Sequence, residues 1–293
     1  MKQLVMLSGK GGTGKTTVTA ALAPLVAQEL SLVLVDADVD AANLELLLAA
    51  RIREEHEFRG GKVALVDAGR CLGCGKCAEV CRFEAVEVDG VAHVDTLACE
   101  GCAACFYECP VQALSMQERV SGVWFLSETD FGPLFHARLS PGQENSGKLV
   151  YQVKLSARQL ASRAGAALLL VDGPPGIGCP AIAALSGASL VLLVTEPSVA
   201  AIHDLRRALA LARHFGVPAA VCLNKTDLSP ERASEIEDFC RAEGLPLVGR
   251  IPFDEGVVRA LVAGLSPALA GGEAVVEAIG ALWQGLRPLL LSA

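Results

Sequence analysis

The first thirty residues constrain the fold more than any other segment. An apolar run from Gln3 to Ser8 leads into Gly9-Lys10-Gly11-Gly12-Thr13-Gly14-Lys15-Thr16-Thr17, and a helical pattern follows from Thr16 to Leu30. Strand, glycine-rich loop and helix in that order form a phosphate-binding loop, whose pattern is met by Gly9, Gly14, Lys15 and Thr16. Glycines let backbone N–H groups turn onto phosphate oxygens, and the helix N-terminus adds positive potential. Lys15 supplies a point charge to the outer phosphates, and the Thr16 hydroxyl is placed to ligate Mg²⁺.

The rest of the chain supports an α/β fold around that loop. Leu32–Asp36, 167–172, 189–195, 219–224 and 247–251 read as further buried strands, with helices near 199–215 and 229–243. Such alternation predicts a parallel sheet with helices on both faces. Hydrophobic residues make up 52% of the 293, which excludes a disordered chain, and 33 acidic against 25 basic residues argue against a nucleic-acid-coating surface. No eighteen uninterrupted apolar residues occur and no secretory signal is expected, so the eleven cysteines point to metal or redox chemistry in the cytoplasm rather than to disulfides.

Eight of the eleven cysteines fall in one block. Cys71, Cys74, Cys77 and Cys81 recur 28 residues later as Cys99, Cys102, Cys105 and Cys109, and Phe83-Glu84-Ala85-Val86 is answered by Val111-Gln112-Ala113-Leu114. This tandem repeat marks an insertion over residues 61–119, with 1–60 and 120–293 forming the surrounding domain. The spacing C-x₂-C-x₂-C-x₃-C, twice, is that of proteins holding two [4Fe–4S] clusters, in which the fourth cysteine of each run serves the other cluster. On that pattern Cys71, Cys74, Cys77 and Cys109 hold one cluster, and Cys99, Cys102, Cys105 and Cys81 the second. Zinc is the main competitor, but structural zinc sites usually pair two C-x₂-C knuckles. The second run ends in Pro110, whereas Arg82 follows Cys81. The block carries nine acidic and five basic side chains, which favours a partner with a basic docking face. Between Val120 and Tyr151 the sequence shows only a strand at 123–127 and a Gly/Pro-rich surface stretch, with Ser146-Gly147-Lys148 read as a turn.

With Lys10 included, the loop resembles the deviant Walker A motif of the MinD/ParA/Mrp ATPases, a group that includes the nitrogenase iron protein. The resemblance implies a parallel-sheet P-loop NTPase of the SIMIBI type, here with a small inserted α+β ferredoxin-like domain. It implies ATP and Mg²⁺ as ligands, with Gly9, Gly11, Gly12, Thr13, Gly14, Lys15, Thr16 and Thr17 around the phosphates. Lys10 would cross a dimer interface to the partner's nucleotide. Asp36-Ala37-Asp38 resembles the family's switch I, so Asp38 would orient or deprotonate the attacking water and Asp36 would support Mg²⁺. Asp40 reads as a helix N-cap. Asp172-Gly173-Pro174-Pro175-Gly176 resembles a Walker B aspartate and switch II, with Asp172 on Mg²⁺ through water and the Gly176 N–H sensing the γ-phosphate. Asn224 and Asp227 stand where the family reads the base, with Asn224 bonding the adenine edge, and Pro252 would line the base pocket. Asn224-Lys225-Thr226-Asp227 also matches the guanine-reading motif of GTPases, and family resemblance favours ATP.

The resemblance leaves three roles open. The leading one is an ATPase that assembles or transfers an iron–sulfur or related metal cofactor through ATP-driven closure of a homodimer, or of a heterodimer with a similar subunit, in contact with a client protein. The alternatives are an ATP-gated electron donor and a non-enzymatic positioning switch with structural clusters. Cys179 is either a buried small hydrophobe or part of an intersubunit site, and Cys222 and Cys240 are read as packing. The 273–291 stretch is expected to pack on the sheet rather than anchor to a membrane.

Overall fold

The computed structural model describes residues 1–143, 145–266 and 272–292. In chain order the elements are β1 (Lys2–Ser8), α1 (Lys15–Ala27), β2 (Leu32–Asp36), α2 (Leu44–Leu47), β3 (Arg51–Phe58) and β4 (Gly61–Val66). Next come α3 (Lys76–Glu79), β5 (Val86–Asp89), β6 (Val91–Val94), α4 (Ala104–Glu108), β7 (Leu114–Arg119), β8 (Gly122–Thr129) and β9 (Gly132–Leu139). The remainder is α5 (Ser146–Ala164), β10 (Leu168–Pro175), α6 (Cys179–Leu185), β11 (Leu190–Thr195), α7 (Ala201–His214), β12 (Ala219–Asn224), α8 (Pro230–Ala242), β13 (Leu247–Ile251), α9 (Glu255–Val262) and α10 (Glu273–Ser292). The chain divides into two units: Met1–His56 with Trp124–Arg138 and Ser146–Ala293, and Glu57–Val123 with Leu139–Asn145.

The first unit is built on a nine-stranded sheet in the order β13-β12-β11-β1-β10-β2-β9-β8-β3. β1 lies between β10 and β11, and the pairs β10·β2, β11·β12, β12·β13 and β2·β9 are parallel as well. β1, β2 and β10 are fully buried along almost their whole length, as the near-continuous Val/Leu runs of a sheet covered on both faces require. Their register decides the site, because Met6 pairs with Asp172 and Asp172 pairs with Asp36. The loop after β1 and two carboxylates therefore meet at the carboxyl ends of neighbouring strands, where parallel sheets bind ligands.

Two expectations need correcting. Ser146-Gly147-Lys148 is no turn but the first turn of the 19-residue α5, which buries Leu149, Val150, Val153, Ala157 and Ala161. The stretch after Ser127 is not all surface loop, since β9 buries Leu134, Phe135, His136 and Ala137 beside β2. α10 has the length and hydropathy of a membrane span. In the structure Val275, Ile279, Leu282, Trp283, Leu286 and Leu290 fill the main core, with α10 against β13 and α1.

The second unit turns the sequence repeat into reciprocal pairing. β4 of the first copy pairs antiparallel with β7 of the second, and β6 of the second pairs with β5 of the first. Hydrogen bonds repeat 28 residues apart: Asp67 N donates to Ala113 O (2.7 Å) and Asp95 N to Ala85 O (2.8 Å), while Cys71 N and Cys99 N donate to Asp67 O and Asp95 O, both at 3.0 Å. Left-handed residues recur at the same offset, as Gly73 and Gly101, Gly75 and Ala103, and Glu84 and Gln112. A Cβ at Gly73 would meet Gly90 O at 2.3 Å, and one at Gly101 would meet Lys62 O at 2.3 Å. Glycine is thus required at both positions for space as well as for φ.

Candidate functional site

Gly14, with φ 91°, ends the loop as the N-cap of α1 and offers no side-chain cap, so the first N–H groups of the helix face outward unpaired. A Cβ there would meet Asn224 Nδ2 at 2.3 Å. Asn224, from the end of β12, donates through Nδ2 to Thr13 O (2.9 Å) and accepts from Lys225 N at 3.0 Å. The motif after β12 therefore braces the loop, and Lys225 Nζ adds a second brace on Gly12 O (2.9 Å). Gly9 backs onto the main chain of Asp204, Gly11 and Gly12 are exposed, and Thr16 and Thr17 are half-buried on the first turn.

Lys15 is buried beside three carboxylates. Burial lowers its pKa, while Asp172, Asp38 and Asp36 act in the opposite direction. Asp172 is fully buried and its carboxyl is pushed up to about 6 by burial, against the opposing effect of the Thr16 and Thr19 hydroxyls and of Lys15. Thr19 Oγ1 donates to Asp172 Oδ1 at 2.8 Å, whereas Asp172 Oδ2 has no partner. Asp36 is also raised, by burial and then by Asp172. Its oxygens accept from Asp38 N (3.0 Å), Asn43 N (3.1 Å) and Leu44 N (3.0 Å), which ties both ends of the 37–43 loop to β2. Asp38 stands on that loop, its pKa raised by burial and opposed by Lys15. Asp40 caps no helix: the cap position of α2 is Asn43.

Lys10 Nζ lies 2.9 Å from Glu196 Oε1 and donates to Ser198 Oγ at 2.9 Å. Glu196 Oε2 receives Lys225 Nζ at 2.8 Å. Although burial works to raise its pKa, these two ammonium groups hold the Glu196 carboxyl below its ordinary range. On the other side of the loop a cavity of about 210 Å³ is lined by Gly12, Gly14, Thr17, Asn224, Pro252 and apolar side chains of α9 and α10. Asp227 is not on its wall: Asp227 Oδ1 accepts from Phe253 N at 2.6 Å and pins the turn that carries Pro252.

The family model described as the CobQ/CobB/MinD/ParA nucleotide binding domain matches residues 4–267. The chain belongs to this family. As a member of the CobQ/CobB/MinD/ParA family it is an ATP-binding P-loop ATPase. An uncharacterized protein of Methanocaldococcus jannaschii is 33% identical over 230 residues, covering 78% of this chain and 79% of that one. The septum site-determining protein MinD of Escherichia coli is 25% identical, covering 88% and 80%. The fold is similar to that of MinD from Pyrococcus horikoshii, solved with Mg-ADP, at a TM-score of 0.62 and 19% identity over 98% of this chain and 96% of that one.

The second unit of this family member holds the eight clustered cysteines around two hollows. One is lined by Cys71, Cys74, Cys77 and Cys109, the other by Cys81, Cys99, Cys102 and Cys105. Backbone N–H groups point at three of the sulfurs: Ala85 N at Cys81 (3.3 Å), Ala92 N at Cys71 (3.4 Å) and Ala113 N at Cys109 (3.2 Å). Burial raises the Cys77 and Cys105 thiols, while at Cys109 backbone N–H groups outweigh burial and lower the pKa. Among the described residues no three His, Cys, Asp or Glu side chains converge closely enough for a single ion. Cys179 is exposed at the start of α6, not buried as its simplest reading had it, while Cys222 and Cys240 are buried.

Sequence reasoning missed Glu196 and Thr19. Both carried a signal. Glu196 is an acidic residue directly after a strand's carboxyl end, and Thr19 lies one turn beyond Lys15 on the inner face of α1.

Proposed function

We propose that the chain is an ATP-driven switch carrying two [4Fe–4S] clusters, in which nucleotide-dependent dimer closure is coupled to assembly or transfer of an iron–sulfur or related metal cofactor. The observation that carries this reading is the partition of the cysteines: each hollow takes three from one repeat and the fourth from the other, the exchange expected for paired cubanes. Four thiols around a hollow, with no three close enough for one ion, suit a polynuclear group better than zinc, whose ligands crowd about 2.3 Å from one centre. When bound, the clusters supply electron storage or transferable iron and sulfide, and the backbone N–H groups on the sulfurs stabilise the thiolate ligands.

In the nucleotide site, the unpaired N–H groups of Gly9 to Thr17 and the Lys15 ammonium receive the phosphates. The free Asp172 Oδ2, Asp36 and the Thr16 hydroxyl fit Mg²⁺ and its water shell. Asp38 orients the attacking water. Gly176, on the turn after β10, does not offer its N–H to the γ-phosphate as the sequence suggested, because that N–H donates to Ser8 O at 2.9 Å. The apolar cavity beside Pro252 takes the base, with Asn224 on its wall. Asp227 is occupied with Phe253 N rather than turned to the cavity, which supports adenine over guanine. Lys10 leaves Glu196 to reach the nucleotide of a second copy or a similar subunit. The acidic insertion favours a client with a basic docking face, and the cytoplasm is the compartment that fits free thiols.

Anaerobic purification with iron and sulfide counted tests the clusters, and transfer to an apo acceptor with and without ATP tests the role. The reading fails if the acceptor gains no cluster under either condition. Clusters that remain bound and cycle between redox states indicate an ATP-gated electron donor instead.

A further inference from the structure

Glu45 lies two residues beyond the 37–43 loop that bears Asp38, and its surroundings are unlike those of an ordinary helix-surface glutamate. The main chain at Asn43 and Leu44 is fixed by Asp36, and Glu45 is the second residue of the short helix that follows. Its side chain is only 10% exposed and is held from β9 by Arg138 and by His136, whose Nδ1 lies 2.9 Å from Glu45 Oε2. His136 is fully buried. Its Nε2 shares a 2.8 Å hydrogen bond with Ser127 Oγ of β8, and its ring stacks on Phe125 at 4.9 Å between centroids. Arg138 in turn lies over the Phe125 ring at 5.7 Å. β9 pairs with β2 at Val35↔Phe135, so His136 follows directly on the partner of the residue that precedes Asp36.

Nδ1 of His136 faces Glu45 Oε2 and has no other partner, so the buried imidazole is bonded to β8 on one side and set against α2 on the other.

We propose that Glu45 is a positioning residue for hydrolysis: gripped by His136 and Arg138, it sets the loop that carries Asp38 and ties that loop to β8 and β9. The proposal rests on Asp38 as the water-orienting residue. β8 and β9 are also strands through which the chain passes between the two units.

The test compares Glu45→Ala, Glu45→Gln, His136→Gln and Asp38→Asn in steady-state ATPase assays, with thermal unfolding as a check on folding. Misplacing the loop should lower kcat at least about tenfold in Glu45→Ala and His136→Gln, with KM for ATP changed by less than about twofold because the phosphate-binding groups are intact. Glu45→Gln, which keeps the shape and one acceptor, should recover most of the loss. In a Trp283→Phe background, Trp124 of β8, which stacks on His56 at 4.0 Å, should change its emission when a non-hydrolysable ATP analogue binds. That response should vanish in Glu45→Ala. Wild-type kcat in both truncations, or a preserved Trp124 response, overturns the proposal, as does parallel loss of kcat, nucleotide binding and thermal stability. If Glu45→Ala does not fold, His136→Gln is read by the same criteria. Full turnover by Asp38→Asn would instead remove the Asp38 assignment, whatever Glu45 does.

Discussion

Replacing Asp172 by asparagine should stabilise the nucleotide-free protein near neutral pH while weakening its hold on Mg-nucleotide. The Asp172 carboxyl is wholly buried and is pushed up to about 6 from an ordinary 3.8. An acid with a raised folded-state pKa binds its proton more tightly in the folded protein, so stability falls as pH rises from about 3.8 through about 6. At about 1.4 kcal/mol per unit, the shift corresponds to about 3 kcal/mol, fully lost above the folded pKa. The amide keeps an oxygen for the Thr19 hydroxyl, removes the charge, and relieves Asp36, whose pKa is raised by burial and then by Asp172. Urea unfolding followed by circular dichroism, in chelator from pH 4 to pH 8, reads the difference. The curves for wild type and Asp172→Asn should coincide near pH 4 and diverge to about 3 kcal/mol in favour of the variant by pH 8. Mg-ATP should then stabilise the wild type and leave the variant almost unchanged. An offset independent of pH, or a variant less stable at pH 8, would refute the argument that a buried, underpaired carboxylate stores this energy.

Gly14→Ala combines a left-handed φ of 91° with a Cβ 2.3 Å from Asn224 Nδ2, so it should lose about 1–2 kcal/mol from backbone strain alone and raise the Kd for ATP in calorimetry. Lys15→Ala should abolish nucleotide binding in the same titration. Lys10→Ala should bind normally but lose dimer-dependent hydrolysis, and equal turnover would dispose of a lysine acting in trans. Cys81→Ser should cut iron from about eight to about four per chain while sparing the group held by Cys71, Cys74, Cys77 and Cys109, as read by electron paramagnetic resonance. Cys222, with its thiol pushed up to about 12 by burial, and Cys240, pushed up to about 11, should resist alkylation in native protein at pH 8.

The parts of the fold that were legible in the sequence are those where one local rule decides the outcome. Strands β2, β11 and β12 are nearly continuous apolar runs buried along their length, as a sheet covered on both faces requires. The cysteine repeat was equally plain, because an exact 28-residue offset survives any choice of conformation. α5 was hidden: its first residues, Ser146-Gly147-Lys148, have turn chemistry, and only tertiary burial of Leu149, Val150 and Val153 makes the segment a helix. β9 was hidden because it opens on Gly132-Pro133 and a buried histidine interrupts its apolar run. At the site, the loop spacing located Lys15, and the resemblance to the family's switch I and Walker B located Asp36 and Asp172. The contacts of Lys10 with Glu196 and of Thr19 with Asp172 join residues far apart in the chain, and no local pattern encodes them.

The exchange of cysteines between the two repeats also sets an order in time. A chain emerging from the ribosome presents Cys71, Cys74, Cys77 and Cys81 first, yet neither hollow can be complete at that stage. The second closes only with Cys105 and the first only with Cys109. The early thiols must wait, unpaired with their final neighbours, until the later copy arrives, and both sites are then finished almost together. A truncation anywhere before Cys99 leaves two partial thiol sets rather than one finished site. Duplication of the unit is thus a condition for completing either set of four thiols.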